Sequence, residues 1–194
     1  MVFSSQIFLF VFLPLCVLGA YVIRPDFRKY FLILVSLAFF GWTGKRPLAI
    51  FLVFVFLNYA MGLLQGKLRE SKGFVKKIAN WFVILSNVVF LLAFKYLPFF
   101  TKILSGITGT KDHFFELPVL LGVSFFVFSA ISYQYDIYYN KLAPQKNLPD
   151  FLFYMSFFPK LLQGPIMRAG DFASQLVNNK LDLDCLSRGV YRFT

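Results

Sequence analysis

Polar side chains that could bind or orient a substrate gather in one short stretch of this sequence, at Lys160, Gln163, Arg168 and Asp171. The apolar run before them, residues 151–158, has about eight residues, whereas a helix needs ~20 to cross a bilayer. Pro159 removes a backbone donor, and Gly164-Pro165 interrupts the chain again. We call residues 156–172 the broken segment.

Two interpretations of the broken segment follow from its composition. Irregular backbone at membrane depth is tolerated only where protein or a water-filled cavity covers it, and charges there mark functional sites. In the functional interpretation the segment is therefore re-entrant and its charges belong to a site. In the structural interpretation it is an interfacial turn, and Lys160 and Arg168 extend to the lipid head groups.

A second group of polar side chains occupies the apolar run 117–139, from Ser124 towards its end. Helical spacing places Ser129, Ser132, Tyr133 and Asp136 near one face. This face is predicted to point into a helix bundle or towards its mouth, because polar groups avoid lipid. The alternative is a belt at the membrane interface, with Asp136 in water.

The composition is that of a membrane protein. Of 194 residues, 58% are hydrophobic and 15% charged, against roughly 45–50% and 25% in soluble domains. The 28 phenylalanines suit lipid-facing helices and aromatic packing between them. The net charge of +11 does not indicate nucleic acid, because the basic residues sit in short loops between apolar runs. An anionic leaflet is their expected partner.

Five apolar runs predict an all-α, polytopic transmembrane helix bundle with about five spanning helices, followed by the broken segment. Residues 1–194 are predicted to form a single membrane domain. The runs are residues 1–23, 30–42, 48–64, 78–100 and 117–139. Pro14 should bend the first, and the second is short for a span. Asn58 in the third is expected to bond to a neighbouring helix. Pro149-Asp150 should start the helix that leads into the broken segment.

The connections between the runs predict an orientation. Residues 45–47 form a tight connection, and residues 66–77 form the most basic loop. An excess of Lys and Arg marks cytoplasmic loops, so the N-terminus is expected outside. The falling hydropathy of residues 173–194 predicts an amphipathic interfacial helix.

Cysteine and histidine offer no further site. Cys16 and Cys185 have no CxxC or Cys/His companion, so neither a metal site nor a disulfide framework is expected. His113 lies in a polar loop beside Lys111 and Asp112, where a histidine is usually solvated.

Two stretches carry a family resemblance. The first is Leu117-Pro118…Gly122-Val123-Ser124-Phe125-Phe126-Val127-Phe128…Ser132-Tyr133…Asp136-Ile137-Tyr138. The second is Phe157-Phe158-Pro159-Lys160-Leu161-Leu162-Gln163-Gly164-Pro165-Ile166-Met167-Arg168, followed by Asp171-Phe172. Together they resemble the paired signatures of the bacterial membrane-bound O-acyltransferases, a branch that includes alginate O-acetyltransferase and the D-alanyl transferase of teichoic acids. Residues 1–14 and the motif Leu57-Asn58-Tyr59…Gly62 extend the likeness to nearly the whole chain.

The resemblance implies a multi-pass enzyme of the bacterial inner membrane. It would move an acyl group from an inner thioester donor, acetyl-CoA or an acyl carrier thioester, to a hydroxyl of an exported polysaccharide or cell-envelope polymer. A buried histidine would act as the base within reach of that hydroxyl, and helices would surround a tunnel. A basic side chain there would hold a phosphate of the donor. The tunnel or substrate-binding candidates are Lys160, Gln163, Gly164, Pro165, Arg168, Asp171, Ser124, Tyr133 and Asp136.

The sequence departs from the family in one respect. The family histidine lies well downstream of the Gly-Pro-Ile signature, whereas His113 lies upstream and cannot take its role. No catalytic residue is therefore assigned here, and the base is expected beyond Thr194. The chain is interpreted as the N-terminal half of such an enzyme, inactive alone, with the C-terminal half or other acetylation subunits as partners. The alternative is a non-catalytic small membrane protein, a partner subunit or transporter-like half.

Overall fold

The computed structural model describes residues 7–70, 73–108, 118–163, 167–172 and 191. Several predictions concern residues outside these ranges, namely those for His113, Gly164, Pro165, Cys185 and most of the predicted helix over 173–194. Of the described residues, 85% are helical and none is in a strand, which confirms the all-α prediction.

Seven α-helices and two short helical turns follow one another along the described chain. A π-helix at Phe8–Phe12 leads into the first helix, and a 3₁₀ turn at Leu68–Glu70 follows the third. The α-helices are α1 Leu13–Val22, α2 Pro25–Gly41, α3 Lys45–Lys67, α4 Gly73–Thr108, α5 Val123–Tyr138, α6 Leu148–Ser156 and α7 Phe158–Gln163.

The helices extend beyond the apolar runs, so three predicted connections are corrected. Residues 45–47 are the first turn of α3, and the chain turns instead at residues 42–44, where Gly44 has φ +130°. The predicted loop 66–77 shrinks because α3 runs to Lys67 and α4 starts at Gly73. The polar connector predicted from residue 101 begins later, since α4 continues to Thr108. Hydropathy detects only the apolar part of a helix, whereas its charged ends remain helical in water.

Two of the predicted spans have the length and composition to cross a membrane, α3 and residues 73–100 of α4. The helices from two other runs are shorter, since α2 has 17 residues and α5 has 16. Pro14 is the second residue of α1, and the π-helix at Phe8–Phe12 runs into α1 without a break. The helix therefore departs from α geometry in the turn before the proline, whose missing N–H interrupts the helical hydrogen bonds. The observed architecture is a bundle of long and short apolar helices.

Phenylalanine rings form the centre of the bundle. The rings of Phe40 and Phe51 stack at 4.4 Å, and Phe126 from α5 meets Phe51 edge-on at 5.2 Å and Phe54 at 5.0 Å. All four side chains are buried. The high phenylalanine content therefore joins α2, α3 and α5 through edge and stacked ring contacts.

Asn58 is the centre of a polar contact between three helices. Asn87 Nδ2 of α4 donates to Asn58 Oδ1 at 3.0 Å, and Gln134 Nε2 of α5 donates to the Asn58 carbonyl at 2.8 Å. All three side chains are buried. The prediction that Asn58 bonds to a neighbouring helix is confirmed, with two helices instead of one.

Candidate functional site: a re-entrant segment beside a buried polar face

Helix α6 enters the bundle beside α2 and runs parallel to it. Lys29 Nζ forms an ion pair with Asp150 Oδ1 where both helices begin. Farther along, the Phe158 N–H donates to Ser36 Oγ at 3.3 Å. Seven residues separate Lys29 from Ser36, which is about 10 Å of helix. The start of α7 therefore lies inside the bundle, well below the end at which α6 entered.

Pro159 explains why the helix breaks where it does. In a continuous helix its nitrogen would face the carbonyl of Met155, with no hydrogen to donate and a ring that clashes. The chain instead leaves helical geometry at Phe157, where ψ is 106°, and restarts as α7. Pro159 then lies in the first turn of α7, where no N–H is required.

Two side chains satisfy the backbone groups that the break leaves open. Ser36 Oγ accepts the Phe158 N–H from the start of α7. Lys160 Nζ donates to the Tyr154 carbonyl, in the last turn of α6, at 2.9 Å. A cation at a helix C-terminus is also favoured by the helix dipole. Irregular backbone is thus kept inside the protein because a serine and a lysine replace the missing helical bonds.

Lys160 is 4% exposed, so its predicted extension to the lipid head groups is wrong. Its ammonium lies 3.4 Å from the centroid of the Tyr154 ring and 5.8 Å from that of Phe172. The aromatic faces and the carbonyl compensate part of the cost of burying this cation.

The chain turns back after α7. The Tyr154 hydroxyl donates to the Met167 carbonyl at 3.1 Å and also lies 3.2 Å from the Ser129 carbonyl of α5. The ring of Phe172 packs on Phe153 of α6 at 5.3 Å. Gly170 lies near Leu142, in the connection at the end where α6 entered. The segment is therefore re-entrant, and the model of a simple interfacial turn is wrong.

The other candidates of the broken segment occupy different surroundings. Arg168 and Asp171 are exposed, so the charges split into a buried Lys160 and two groups nearer the surface. Gln163 is described only as the last residue of α7.

Three of the four residues predicted on the polar face of α5 point inward, and the fourth, Ser132, is half-buried. Ser129, Tyr133 and Asp136 are buried, which excludes the alternative of an exposed Asp136. The Tyr133 hydroxyl accepts the Gln145 N–H at 2.9 Å, and its ring contacts Phe151 of α6 at 4.8 Å. This face therefore forms one wall beside the re-entrant segment.

Asp136 lies near the re-entrant segment, close enough to interact electrostatically with the Tyr154 hydroxyl. This hydroxyl is a hydrogen-bond donor held between α5 and the returning chain. Such a donor can orient a carbonyl or hydroxyl oxygen.

Ser124 does not join these residues. It is half-buried near the start of α5 and accepts a hydrogen bond from Lys95 Nζ at 3.4 Å, at the opposite end of that helix from Asp136. The structure thus brings Lys160, Tyr133 and Asp136 together around Tyr154 and leaves Ser124 apart.

Three residues of the site were not predicted as candidates: Ser36, Tyr154 and Ser156. Ser36 is a lone serine in an apolar run, and Tyr154 is one aromatic among many. The Ser156 hydroxyl is buried and has no hydrogen-bond partner among the described residues. A buried hydroxyl without a partner costs free energy, which favours a ligand or water there. Only the position of Ser156, three residues before Pro159, could have drawn attention to it.

In the part of the chain that the structure describes, no group of three His, Cys, Asp or Glu side chains is close enough to hold a metal ion. Lys160, Tyr154 and Ser156 offer hydrogen bonding and charge stabilisation.

Comparison with curated proteins gives matches over the entire chain. It is 34% identical over 200 residues to probable alginate O-acetylase AlgI of Pseudomonas syringae pv. tomato and covers 38% of that protein. It is 35% identical over 201 residues to the protein of the same name from Azotobacter vinelandii, covering 39%. It is 28% identical over 230 residues to peptidoglycan O-acetyltransferase of Helicobacter pylori, covering 42%. No family model matches the chain, and no solved structure matches it significantly.

The chain spans about two-fifths of the length of these relatives, at their amino-terminal end. The resemblance to the bacterial membrane-bound O-acyltransferases, and to their alginate O-acetyltransferase branch in particular, is confirmed over the N-terminal part of the family.

Proposed function

We propose that this chain, related over its full length to the alginate O-acetylases, forms the N-terminal wall of a membrane O-acyltransferase that acetylates an exported polysaccharide or another cell-envelope polymer. The observation that carries the proposal is the re-entrant segment with its buried Lys160, since broken backbone at membrane depth needs protein or a water-filled cavity around it and ionisable groups there mark functional sites. The names of the relatives supply the reaction class.

The reaction transfers an acyl group between sulfur and oxygen. The acceptor hydroxyl attacks the carbonyl carbon of a thioester, acetyl-CoA or an acyl carrier thioester, so that a C–O bond forms and the C–S bond breaks. The hydroxyl proton passes through a base to the departing sulfur. Positive charge and hydrogen-bond donors near the carbonyl oxygen stabilise the negative charge that develops there.

The described residues fit a role in binding and orientation. Lys160 and Tyr154 offer a cation and a neutral donor inside the bundle, and Ser156 offers a hydroxyl without a partner among the described residues. Arg168 is exposed where the returning chain leaves the bundle, a position suited to a phosphate of the donor. We place the base in another part of the enzyme.

The distribution of charge supports an orientation. Helices α1, α3 and α5 finish at the same end of the bundle at which α2, α4 and α6 begin. We call this end the basic end. It carries Arg24, Arg28, Lys29, Lys67, Arg69, Lys76, Lys77, Lys141 and Lys146. The other end carries fewer: Lys45 and Arg46 at the start of α3, and Lys95 and Lys102 in the later part of α4. We therefore place the basic end in the cytoplasm of a bacterial inner membrane and the start of α1 outside. The re-entrant segment then opens towards the cytoplasmic donor.

The experiment is to delete the gene that contains this sequence and to measure ester-linked acetate released from exported polymers by mild alkali. We expect the ester content to fall and to return when the gene is restored. Restoration with Arg168→Ala should recover much less ester, whereas Arg46→Ala, an exposed arginine at the opposite end, should recover it fully. Unchanged ester after deletion would reject the enzyme in favour of a non-catalytic membrane protein. Full recovery with Arg168→Ala would remove only Arg168 from the residues proposed to bind the donor.

A further inference from the structure

The ion pair of Lys29 and Asp150, where α6 enters the bundle, is partly exposed. The two side chains are 30% and 28% exposed. Asn147 donates to the second carboxylate oxygen of Asp150 at 3.3 Å, and the Lys29 ammonium lies 5.1 Å from the ring centroid of Tyr30, a residue that is 51% exposed. A charged and polar group therefore lies at the surface of the bundle at this point.

The packing of α2 on α3 shows how far along the bundle this ion pair lies. Phe40 stacks on Phe51, and the two helices run in opposite directions on either side of a tight turn. Lys29, eleven residues before Phe40, is therefore level with Gly62, eleven residues after Phe51. Helix α3 continues for five more residues to its terminal charge at Lys67, which is about 8 Å of helix.

The packing of α4 on α3 gives the same offset. Asn87 bonds to Asn58, and these helices are also antiparallel, so Val83 is level with Gly62. The charge of α4 nearest to the basic end on this side, Lys77, lies six residues before Val83, about 9 Å away. The ion pair thus lies about 8 Å deeper in the bundle than the terminal charges of α3 and α4.

At that depth the surface of α4 is apolar. Trp81 and Leu85, on either side of Val83 in the sequence, are 62% and 60% exposed. A flat bilayer that covers these two side chains would also place the ion pair of Lys29 and Asp150 in hydrocarbon, where charged groups are costly. The two flanks of the bundle therefore require different membrane boundaries at the same level.

The exposed line of α2 is also short. Tyr30, Leu34, Ala38 and Trp42 recur at helical spacing and are all exposed. Aromatic residues at both ends with aliphatic residues between them are typical of a lipid-facing span, which identifies lipid as the neighbour of this face. The twelve residues from Tyr30 to Trp42 extend about 18 Å, against ~30 Å for the hydrocarbon of a bilayer.

We propose that the bilayer is thinned along α2 and α6, where its polar layer dips by about 8 Å at the basic end to reach Lys29 and Asp150. Along α4 the hydrocarbon keeps its full thickness. Thinning is one way in which a bilayer accommodates a span shorter than its hydrocarbon. The dip brings the polar layer to the entrance of the re-entrant segment. The proposal does not depend on acyl transfer.

The test measures the depth of nitroxide labels on single cysteines in phosphatidylcholine vesicles, from collisions with oxygen and with a water-soluble nickel complex. Cys16 and Cys185 are first replaced by alanine. Tyr30→Cys and Leu85→Cys form a matched pair, because both sites are exposed and lie at nearly the same level of the bundle. We expect the label at Tyr30→Cys to lie about 8 Å shallower than the label at Leu85→Cys.

Trp42→Cys and Tyr96→Cys form the control pair at the other end of the bundle. Both sites are exposed, and the same packing of α2, α3 and α4 places them level with each other. Their labels should lie at equal depths, because the proposed dip is confined to the basic end.

Three results would overturn the proposal. Equal depths at Tyr30→Cys and Leu85→Cys would show a flat bilayer. A Trp42→Cys label that is deeper than the Tyr96→Cys label by the same distance would show that the whole bundle is tilted and the bilayer is not thinned. A Tyr30→Cys label that neither oxygen nor the nickel complex reaches would show that another protein segment covers α2.

Discussion

Replacing Gly62 with alanine should destabilise the bundle through Tyr133. A Cβ at Gly62 would lie 2.7 Å from Tyr133 Cε1 and 3.0 Å from its hydroxyl oxygen. Real Cβ atoms do not approach so closely, so the ring must move. The ring has little room to move, because Tyr133 is 1% exposed, contacts Phe151 and accepts the Gln145 N–H.

The magnitude follows from three opposing effects. Overpacking a core costs about 1–3 kcal/mol, and weakening the bond to Gln145 costs about 1 kcal/mol more. Alanine in place of a glycine stabilises a helix by about 1 kcal/mol. The net loss is about 2 kcal/mol, which corresponds to roughly 4–8 °C in Tm for a chain of this size.

Thermal unfolding in detergent, followed by far-ultraviolet circular dichroism, measures this loss. The matched control is Gly106→Ala, since a Cβ there meets nothing within 4 Å, and this variant should be as stable as wild type or more so. In a Tyr133→Ala background, Gly62→Ala should cost much less, because the clashing ring is gone. Equal stability of the Gly62 and Gly106 variants would refute the argument.

Three further substitutions test the contacts around the break and the polar core. Ser36→Ala should lower the free energy of unfolding by about 1–3 kcal/mol, because it leaves the buried Phe158 N–H without an acceptor. Ser129→Ala should lower it less, since Ser129 Oγ bonds only a carbonyl of its own helix. Equal melting temperatures of the two variants would contradict this. Lys160→Ala should expose the junction of α6 and α7 to proteases in detergent, and Lys160→Arg should protect it better; identical cleavage patterns would exclude the capping role. Asn87→Leu should lower stability by about 1 kcal/mol through its lost bond to the neighbouring helix, and an unchanged Tm would show that this contact contributes nothing.

The local features of the fold were predictable because they depend on nearby residues. Pro149-Asp150 marks the start of α6, which begins at Leu148, and Pro159 marks the end of a helix that cannot continue through it. Helix ends were predicted less well, as α4 shows. Charged residues such as Lys76 and Lys77 belong to this helix, but they lower the local hydropathy, so an apolar run does not include them.

The polar face of α5 was predictable by spacing, and Asn58 by its rarity in an apolar helix. Their partners were not, because nothing in the local sequence of Asn58 indicates which amides of α4 and α5 will meet it. Lys160 shows the limit most clearly. Its position near an apolar run fits both snorkelling and burial, and only the surrounding rings and the carbonyl of Tyr154 decide between them.

The sequence by itself therefore determined the membrane character, the helical class, the family resemblance and the place where the chain breaks. These follow from composition, from short motifs and from the geometry of proline, all of which act over a few residues. The tertiary structure decided that the broken segment enters and returns, that Ser36 satisfies a backbone group 122 residues away, and that Lys160 is inside. Such contacts depend on how helices pack, and packing joins residues whose separation along the chain carries no local signal.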